Sequence, residues 1–448
     1  MLEGLRVREV WLQKVFENEE FRLEAEFHIA NKVVFECVKG KDIEDYSQYG
    51  TSKDLNEDGD GYPVLRLNEF DKFFISEPAK RCNLIDRNTF QSLQLKKDDV
   101  LICRTNGNPK LVGRAAIVPQ NYNYAFASYL YRIRPNKNII NSATLVSFLN
   151  SRYGRIEIEK FAMVGNQANF SPAKFRQISI PVFPKGFNAK IEKMVYTAYS
   201  YNEKSKYLYA EAENLLLEAL KINSWQITNS QFNVKNLRDS FLSSGRLDAE
   251  YYQTKYDNLF YLLSKYECDT LDNIVTIKKS VEPGSEAYNG NGVPFVRVSD
   301  VTKFGISQPN VFLSPDDFNW KELQPKKDTI LLSKDGSVGV AYKMEEDKYC
   351  ITSGALLHLS VFNKNYLPDY LTLVLNSVVV QMQAERDANG AVIQHWKPSE
   401  IGKVLIPQLP MSIQKIISSK IQESFALRAE CHRLLEEAKM MVEREIGK

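Results

Sequence analysis

The sequence predicts an α+β protein made twice: two similar domains, each with a mixed β-sheet and helices, joined by two long helices that pair as an antiparallel coiled coil. Three observations carry this prediction. The chain matches itself at an offset of about half its length, each half runs hairpin-then-helix, and each half closes on a long heptad stretch.

The internal match runs in order through both halves. Arg22-Leu23-Glu24-Ala25-Glu26 returns as Arg246-Leu247-Asp248-Ala249-Glu250, an offset of 224 in a chain of 448 residues. Pro63-Val64-Leu65-Arg66-Leu67 returns as Pro294-Phe295-Val296-Arg297-Val298 at 231. Leu149-Asn150-Ser151 returns as Leu375-Asn376-Ser377, and Ile180-Pro181 with Pro184 returns as Ile406-Pro407 with Pro410, both at 226. Four matches whose offset drifts by a few residues are what a duplicated domain with loop insertions leaves behind. The boundaries fall at 1–185 for the first domain, 186–223 for a central long helix, 224–410 for the second domain and 411–448 for a C-terminal long helix.

Within each copy the elements follow one plan. The apolar run Val100-Leu101-Ile102-Cys103, the turn residues Asn106-Gly107-Asn108-Pro109 and the run from Arg114 to Val118 read as a β-hairpin. Ile330 to Ser333, a turn at Lys334-Asp335-Gly336-Ser337 and Gly339 to Tyr342 repeat it. One helix is predicted next, over about 142–161 with Asn141 or Ser142 as N-cap, and over about 368–385 in the second copy. A polar loop follows (Gly165 to Asn169, or Asn389 to His395), then Pro172 or Pro398 and a short strand bounded by prolines. Beyond the prolines the period changes. Ile191, Met194, Ala198, Tyr201, Ser205, Leu208, Ala212, Leu215 and Ala219 alternate steps of three and four, and 226 residues on stand Ile417, Lys420, Ser424, Leu427, Cys431, Leu434, Ala438, Met441 and Glu445. Neither stretch contains Pro or Gly between about 188 and 223 or between 412 and 446, so each helix extends roughly 50 Å and must cover its apolar stripe.

Composition excludes several classes. With 44% hydrophobic and 25% charged residues the chain is an ordinary globular protein, without 18 consecutive apolar residues and without the apolar core of a signal peptide at Met1 to Arg6. A cytoplasmic location, with no membrane partner, is the expectation. Six scattered cysteines (Cys37, Cys82, Cys103, Cys268, Cys350 and Cys431) form no C-x-x-C pair and are expected to be buried thiols. The net charge of +2 hides an asymmetry: no Asp or Glu occurs from Val100 to Ile156, where Arg104, Lys110, Arg114, Arg132, Arg134, Lys137, Arg152 and Arg155 all fall. Such a segment suits a surface that meets a polyanion, although a chance shortage of acids in an apolar stretch explains it too. The corresponding part of the second copy retains Asp335, Glu345, Glu346 and Asp347.

Two domains fixed to opposite ends of an antiparallel helix pair turn a tandem repeat in sequence into an inverted one in space. Duplex DNA has a matching twofold relation between its strands, so such a protein is suited to two half-sites separated by a gap. Because the loop residues differ between the copies, the half-sites are expected to differ. In the order of its elements, and in the proline-bounded exits Ile178-Ser179-Ile180-Pro181-Val182-Phe183-Pro184 and Val404-Leu405-Ile406-Pro407-Gln408-Leu409-Pro410, the chain resembles the specificity subunit of type I restriction-modification systems over essentially its whole length. The resemblance implies two target recognition domains that bind double-stranded DNA. It also implies assembly with two methyltransferase subunits, with restriction (translocase) subunits for cleavage, and no catalysis or cofactor of the chain's own.

Catalytic motifs are missing from the sequence. There is no phosphate-cradling G-x-x-x-x-G-K-[ST], no Asn-Pro-Pro-Tyr or Asp-Pro-Pro-Tyr, and no H-E-x-x-H among His28, His358, His395 and His432, so no catalytic or metal-binding residue is assigned. The base-reading candidates are Arg104, Asn106, Asn108 and Lys110 on the first hairpin, with Asn166, Gln167 and Asn169 on the first loop, and Arg114 is a further DNA-binding candidate. In the second copy they are Ser333, Lys334, Gln394, His395 and Lys397. Arg and Lys suit guanine edges, and Asn and Gln suit adenine. A plain solvated-loop role competes for each. Arg66 and Arg297 recur inside apolar strands, where a phosphate contact and a buried ion pair are both open. Phe170 and Trp396 coincide at an offset of 226 and read as core aromatics more readily than as stacking platforms. Two other readings stand beside the recognition subunit: a self-sufficient restriction-modification enzyme with degenerate motifs, and a coiled-coil scaffold.

Overall fold

A computed structural model describes residues 12–13, 35–71, 73–162, 168–222, 230, 232–388, 390 and 394–448. By its contacts the chain divides into two units, Met1–Glu203 with Leu427–Lys448, and Lys204–Ala426. The Arg22 to Glu26 copy of the first repeat lies outside the described residues.

The first unit is built on a four-stranded antiparallel sheet in the order Glu44–Tyr49, Leu130–Pro135, Val100–Cys103, Ala115–Ile117. The second unit has the same sheet in the same order: Val275–Lys279, Leu356–Val361, Ile330–Ser333, Ala341–Lys343. Both predicted hairpins are present as antiparallel pairs. A smaller mixed sheet also recurs, with Tyr62–Leu65 parallel to Ala125–Phe126, and Val293–Val296 parallel to Ile351–Thr352. The proline-bounded exit strands Ser179–Pro181 and Leu405–Pro407 each pair antiparallel with a strand from earlier in the same unit, Cys37–Lys39 and Cys268–Thr270. Pro ends both exit strands, where no further ladder donor is needed.

The single helix predicted after each hairpin is two helices. Ser142–Leu149 and Arg152–Phe161 replace the first, Pro368–Asn376 and Val378–Asp387 the second. Asn141 is the N-cap, its side chain accepting from the Thr144 amide. The break falls on the repeated Leu-Asn-Ser, and the asparagine explains it. Asn150 accepts from the Ala115 amide at 3.1 Å and donates to the Ala115 carbonyl at 2.8 Å. Asn376 does the same to Ala341 at the same two distances. Each side chain thus supplies the edge strand of its sheet with the hydrogen bonds a further strand would have made. Ser151 then accepts from the Gly154 amide and caps the next helix.

The long helices span Lys185–Ala219 and Met411–Ile446. In the second unit Ser205 Oγ lies 3.0 Å from Ser424 Oγ while Lys420 pairs with Glu211 at 2.9 Å, so their indices run in opposite senses and the pairing is antiparallel. In the first unit Ile191, Val195 and Ala198 share one core with Cys431, Leu435, Ala438, Val442 and Ile446. The seam differs from the predicted one at every second position except Leu208. Ile191, Ala198, Leu208, Ala212, Ile417 and Ala438 are buried as expected. Between them, however, the buried residues are Val195, Asn202, Tyr209 and Leu216, and Ile421, Leu435 and Val442. Met194, Tyr201, Leu215, Leu427, Leu434 and Met441 are half-buried flanks. Apolar pairs such as Met194-Val195, Leu215-Leu216 and Leu434-Leu435 fill both possible registers, so periodicity alone does not choose between them. Packing does, since a helix lying on its own domain as well as on another helix needs an apolar face wider than two positions per heptad. The observed register also repeats at 226.

At the root of each long helix the repeat is again chemical. The Asn188 amide donates to the carbonyls of Phe183 and Ile139, and the Gln414 amide donates to those of Leu409 and Asn365, the corresponding residues. Both side chains are buried and fasten helix to exit strand.

Candidate nucleic-acid interface

In each unit two segments distant in sequence meet at the hairpin tip. In the first, Thr105-Asn106 pairs antiparallel with Ala168-Asn169. In the second, Asp335 bridges His395, and the Gly336 amide donates to the Gln394 carbonyl at 2.9 Å. The backbone of one residue forms the node of each junction. Arg104 donates its N–H to Tyr129 at 2.7 Å and accepts from the Phe170 amide at 2.8 Å. Lys334 donates to Ala355 at 2.9 Å and accepts from the Trp396 amide at 2.8 Å. Phe170 and Trp396, fully buried, anchor the two junctions from below, as core aromatics. Gly113 and Gly339 both hold positive φ (77° and 86°) where the chain returns from the tip, and a Cβ on Gly113 would meet Ile158 at 2.4 Å.

The sequence candidates separate on this scaffold. Arg104, Asn106, Asn108, Lys110 and Asn169 gather at the first tip, with Asn108 and Lys110 exposed. Asn106 accepts from the Asn108 amide and Asn108 from the Lys110 amide, so both side chains also shape the turn. Arg114, half-buried, stands at the return strand. Asn166 and Gln167 lie outside the described residues. At the second tip Lys334, Gln394, His395 and Lys397 come together, His395 and Lys397 being well exposed. Ser333 is placed otherwise. It is fully buried, its hydroxyl donating to the Ser337 carbonyl and accepting from the Val340 amide, so it braces the tip from inside.

Arg66 and Arg297 sit just past the ends of their strands rather than inside them, each at the start of a 3-10 turn. Arg66 pairs with Glu69 at 2.9 Å, and the Arg297 backbone amide donates to Asp300 at 2.9 Å. Each arginine thus has a carboxylate three residues on, Glu69 at 2.9 Å from the Arg66 guanidinium and Asp300 at 3.7 Å from that of Arg297.

The acid-free segment is less basic in space than in sequence. Asp99, immediately before it, is fully buried and pairs with Arg132 at 3.0 Å and Arg134 at 2.6 Å. Lys137 pairs with Asp98, the Arg152 amide donates to Glu443, and Arg155 donates to the Val112 carbonyl. The positive charge without a carboxylate pair lies at Arg104, Lys110 and Arg114, around the tip, and at Arg155, which donates to the Val112 and Lys110 carbonyls. Two further residues belong to this surface and carried no signal in the sequence: Tyr49, 46% exposed beneath the Arg104 guanidinium at 5.2 Å, and Tyr129, 58% exposed, whose backbone carbonyl accepts from the Arg104 amide. Only strand pairing brings them to Arg104.

Among the described residues no three of His, Cys, Asp and Glu stand together as a metal site, and no helix is long and apolar enough to cross a membrane. Among the described residues no disulfide is formed. Cys82, Cys103, Cys350 and Cys431 are buried, while Cys37 and Cys268 are half-buried. Burial pushes the Cys103 thiol up to about 12 in spite of Arg155 and Arg114, leaving it protonated and unreactive at neutral pH.

The chain is similar to specificity subunits of type I restriction systems. It is 22% identical over 347 residues to the Type I restriction enzyme EcoKI specificity subunit of Escherichia coli (strain K12), a match covering 75% of this chain and 69% of that protein. Among solved structures it is similar to the type I restriction-modification S subunit from M. genitalium, at 13% identity and a TM-score of 0.43, covering 93% of this chain and 96% of that one. The HsdS subunit from Thermoanaerobacter tengcongensis is similar at 15% identity and a TM-score of 0.29, covering 92% and 96%. No family model matches the chain.

Proposed function

We propose that the chain is the DNA-specificity component of a type I restriction-modification assembly, reading a split, asymmetric target in duplex DNA and directing methyltransferase and restriction subunits to it. One observation carries this reading: the same backbone node, with the same anchoring aromatic position, presents different side chains in the two units, Arg104 with Asn106, Asn108 and Lys110 in one, Lys334 with Gln394, His395 and Lys397 in the other. A duplicated scaffold with unlike tips is what recognition of two unlike half-sites requires. Catalysis in this reading belongs to the partners, two methyltransferase subunits in the simplest arrangement, and the chain itself needs no cofactor.

Gel-shift and methylation mapping of the full chain, with and without a copurifying methyltransferase, tests it. The expected outcome is a bipartite sequence with a fixed gap, bound with an affinity that falls steeply as salt rises. A continuous site, or none, refutes the reading. Salt-insensitive association with protein alone would mark a scaffold, and metal- or cofactor-dependent turnover by the isolated chain would mark an enzyme.

A further inference from the structure

The two nodes share a backbone and differ in the fate of the side chain. Around Arg104 five other basic residues of its segment are committed, Arg132 and Arg134 to Asp99, Lys137 to Asp98, Arg152 to Glu443 and Arg155 to backbone carbonyls, while Lys110 and Arg114 stay with it at the tip. Among the described residues no carboxylate pairs with Arg104. Its Nε is buried without a hydrogen-bond partner, and its guanidinium lies over the ring of Tyr49, which itself meets the buried Tyr131 edge-on at 6.5 Å. Stacking on a ring face fixes the plane of a guanidinium while leaving its in-plane donors unused. With backbone bonds on both sides and an aromatic floor, Arg104 is oriented before any ligand arrives. Lys334 stands at the same place in the second unit. Its side chain is only 12% exposed and is paired with Asp335, whose other oxygen holds His395 at 2.8 Å. Where the first unit has Tyr49 and Tyr129, the second has Lys279 and Ala355.

From this contrast we infer that Arg104 is a guanine-reading residue of the first unit, with Tyr49 as its positioning residue, and that Asp335 silences the corresponding Lys334 in the second. A planar fork with two free donors matches the N7 and O6 acceptors of guanine in the major groove, and no other base offers that pair. A lysine held by a neighbouring carboxylate offers neither the fork nor the net charge. The inference rests on the DNA-specificity reading above and adds which base class each node accepts.

Selection of bound duplexes from a randomised library, by the full chain with its copurifying methyltransferase, reads preference position by position. Arg104→Ala is expected to lower the preference for guanine at one position of one half-site by roughly 5- to 150-fold and to leave the other half-site unchanged. Arg104→Lys keeps the charge and is expected to lose most of that preference while holding overall affinity. Tyr49→Leu is expected to weaken the same position, and Tyr49→Phe, which retains the ring face, to preserve it. Asp335→Asn is expected to raise guanine preference in the opposite half-site. If Arg104→Ala erases every position of its half-site, the unit has lost its fold, and Arg104→Lys decides. An unmoved guanine preference in Arg104→Lys overturns the assignment, and an unmoved opposite half-site in Asp335→Asn overturns the silencing. Absence of any split target for the unaltered chain would instead sink the functional reading itself.

Discussion

His358 illustrates how a residue that invites a catalytic reading serves the fold. It lies buried on the strand Leu356–Val361, its Nε2 2.7 Å from the Thr352 hydroxyl, and burial, aided by the positive Lys278, lowers its pKa to about 4. The unfolded chain, with histidine near 6.5, therefore takes up a proton first as pH falls. The stabilisation associated with the neutral ring is full above about pH 6.5 and is lost as pH drops toward about 4, a loss on the order of 3 kcal/mol. The expected outcome is a urea midpoint that falls between pH 6.5 and 4.5, with a shallower fall in His358→Gln, followed by tryptophan fluorescence. Equal slopes for both proteins would show that other groups control the acid transition.

At the scale of elements, the most informative repeat is a single asparagine. Asn150 and Asn376 end one helix and complete the edge of the neighbouring strand, so a three-residue match in the sequence marks a joint between helix layer and sheet. Asn150→Ala or Asn376→Ala leaves a backbone amide and carbonyl without those partners, and a destabilisation of about 2 kcal/mol is expected for each in urea unfolding. A loss under about 0.5 kcal/mol would mean that water replaces the amide. The hairpins, the proline-bounded exits and the long helices were all legible from pattern and punctuation. The helix break at Asn150 was not, because Leu-Asn-Ser carries no helix-breaking residue and the amide's partner lies 35 residues away. The seam register was half legible, because neighbouring apolar residues left two registers open and burial selected one.

For the whole molecule, the proposed function ties target geometry to the linking helix Lys185–Ala219, which is continuous over 35 residues. Insertion of one heptad between Ile191 and Ala219 is expected to change the gap between half-sites, or to abolish binding, while each half keeps its own base preferences. Library selection measures both properties together. A heptad variant that bound the original gap with the original affinity would separate spacing from the helix and count against that tie. The charge asymmetry belongs to this scale as well. The acid-free stretch suggested a polyanion-facing surface, but Asp98, Asp99 and Glu443 neutralise much of it, and what survives is a local patch at Arg104, Lys110, Arg114 and Arg155.

The amino-acid sequence by itself determined that the chain is duplicated, that each copy runs hairpin, helical segment, polar loop, proline-bounded strand and long helix, and that its halves carry unlike tip residues. Those properties are local or periodic, so they survive in one dimension. Tertiary structure decided which basic residues stay free, which face of each long helix is buried, and that Tyr49 lies under the Arg104 guanidinium. Pairing between strands and contacts between groups far apart in the chain set those outcomes, and neither composition nor spacing encodes them until the backbone has closed.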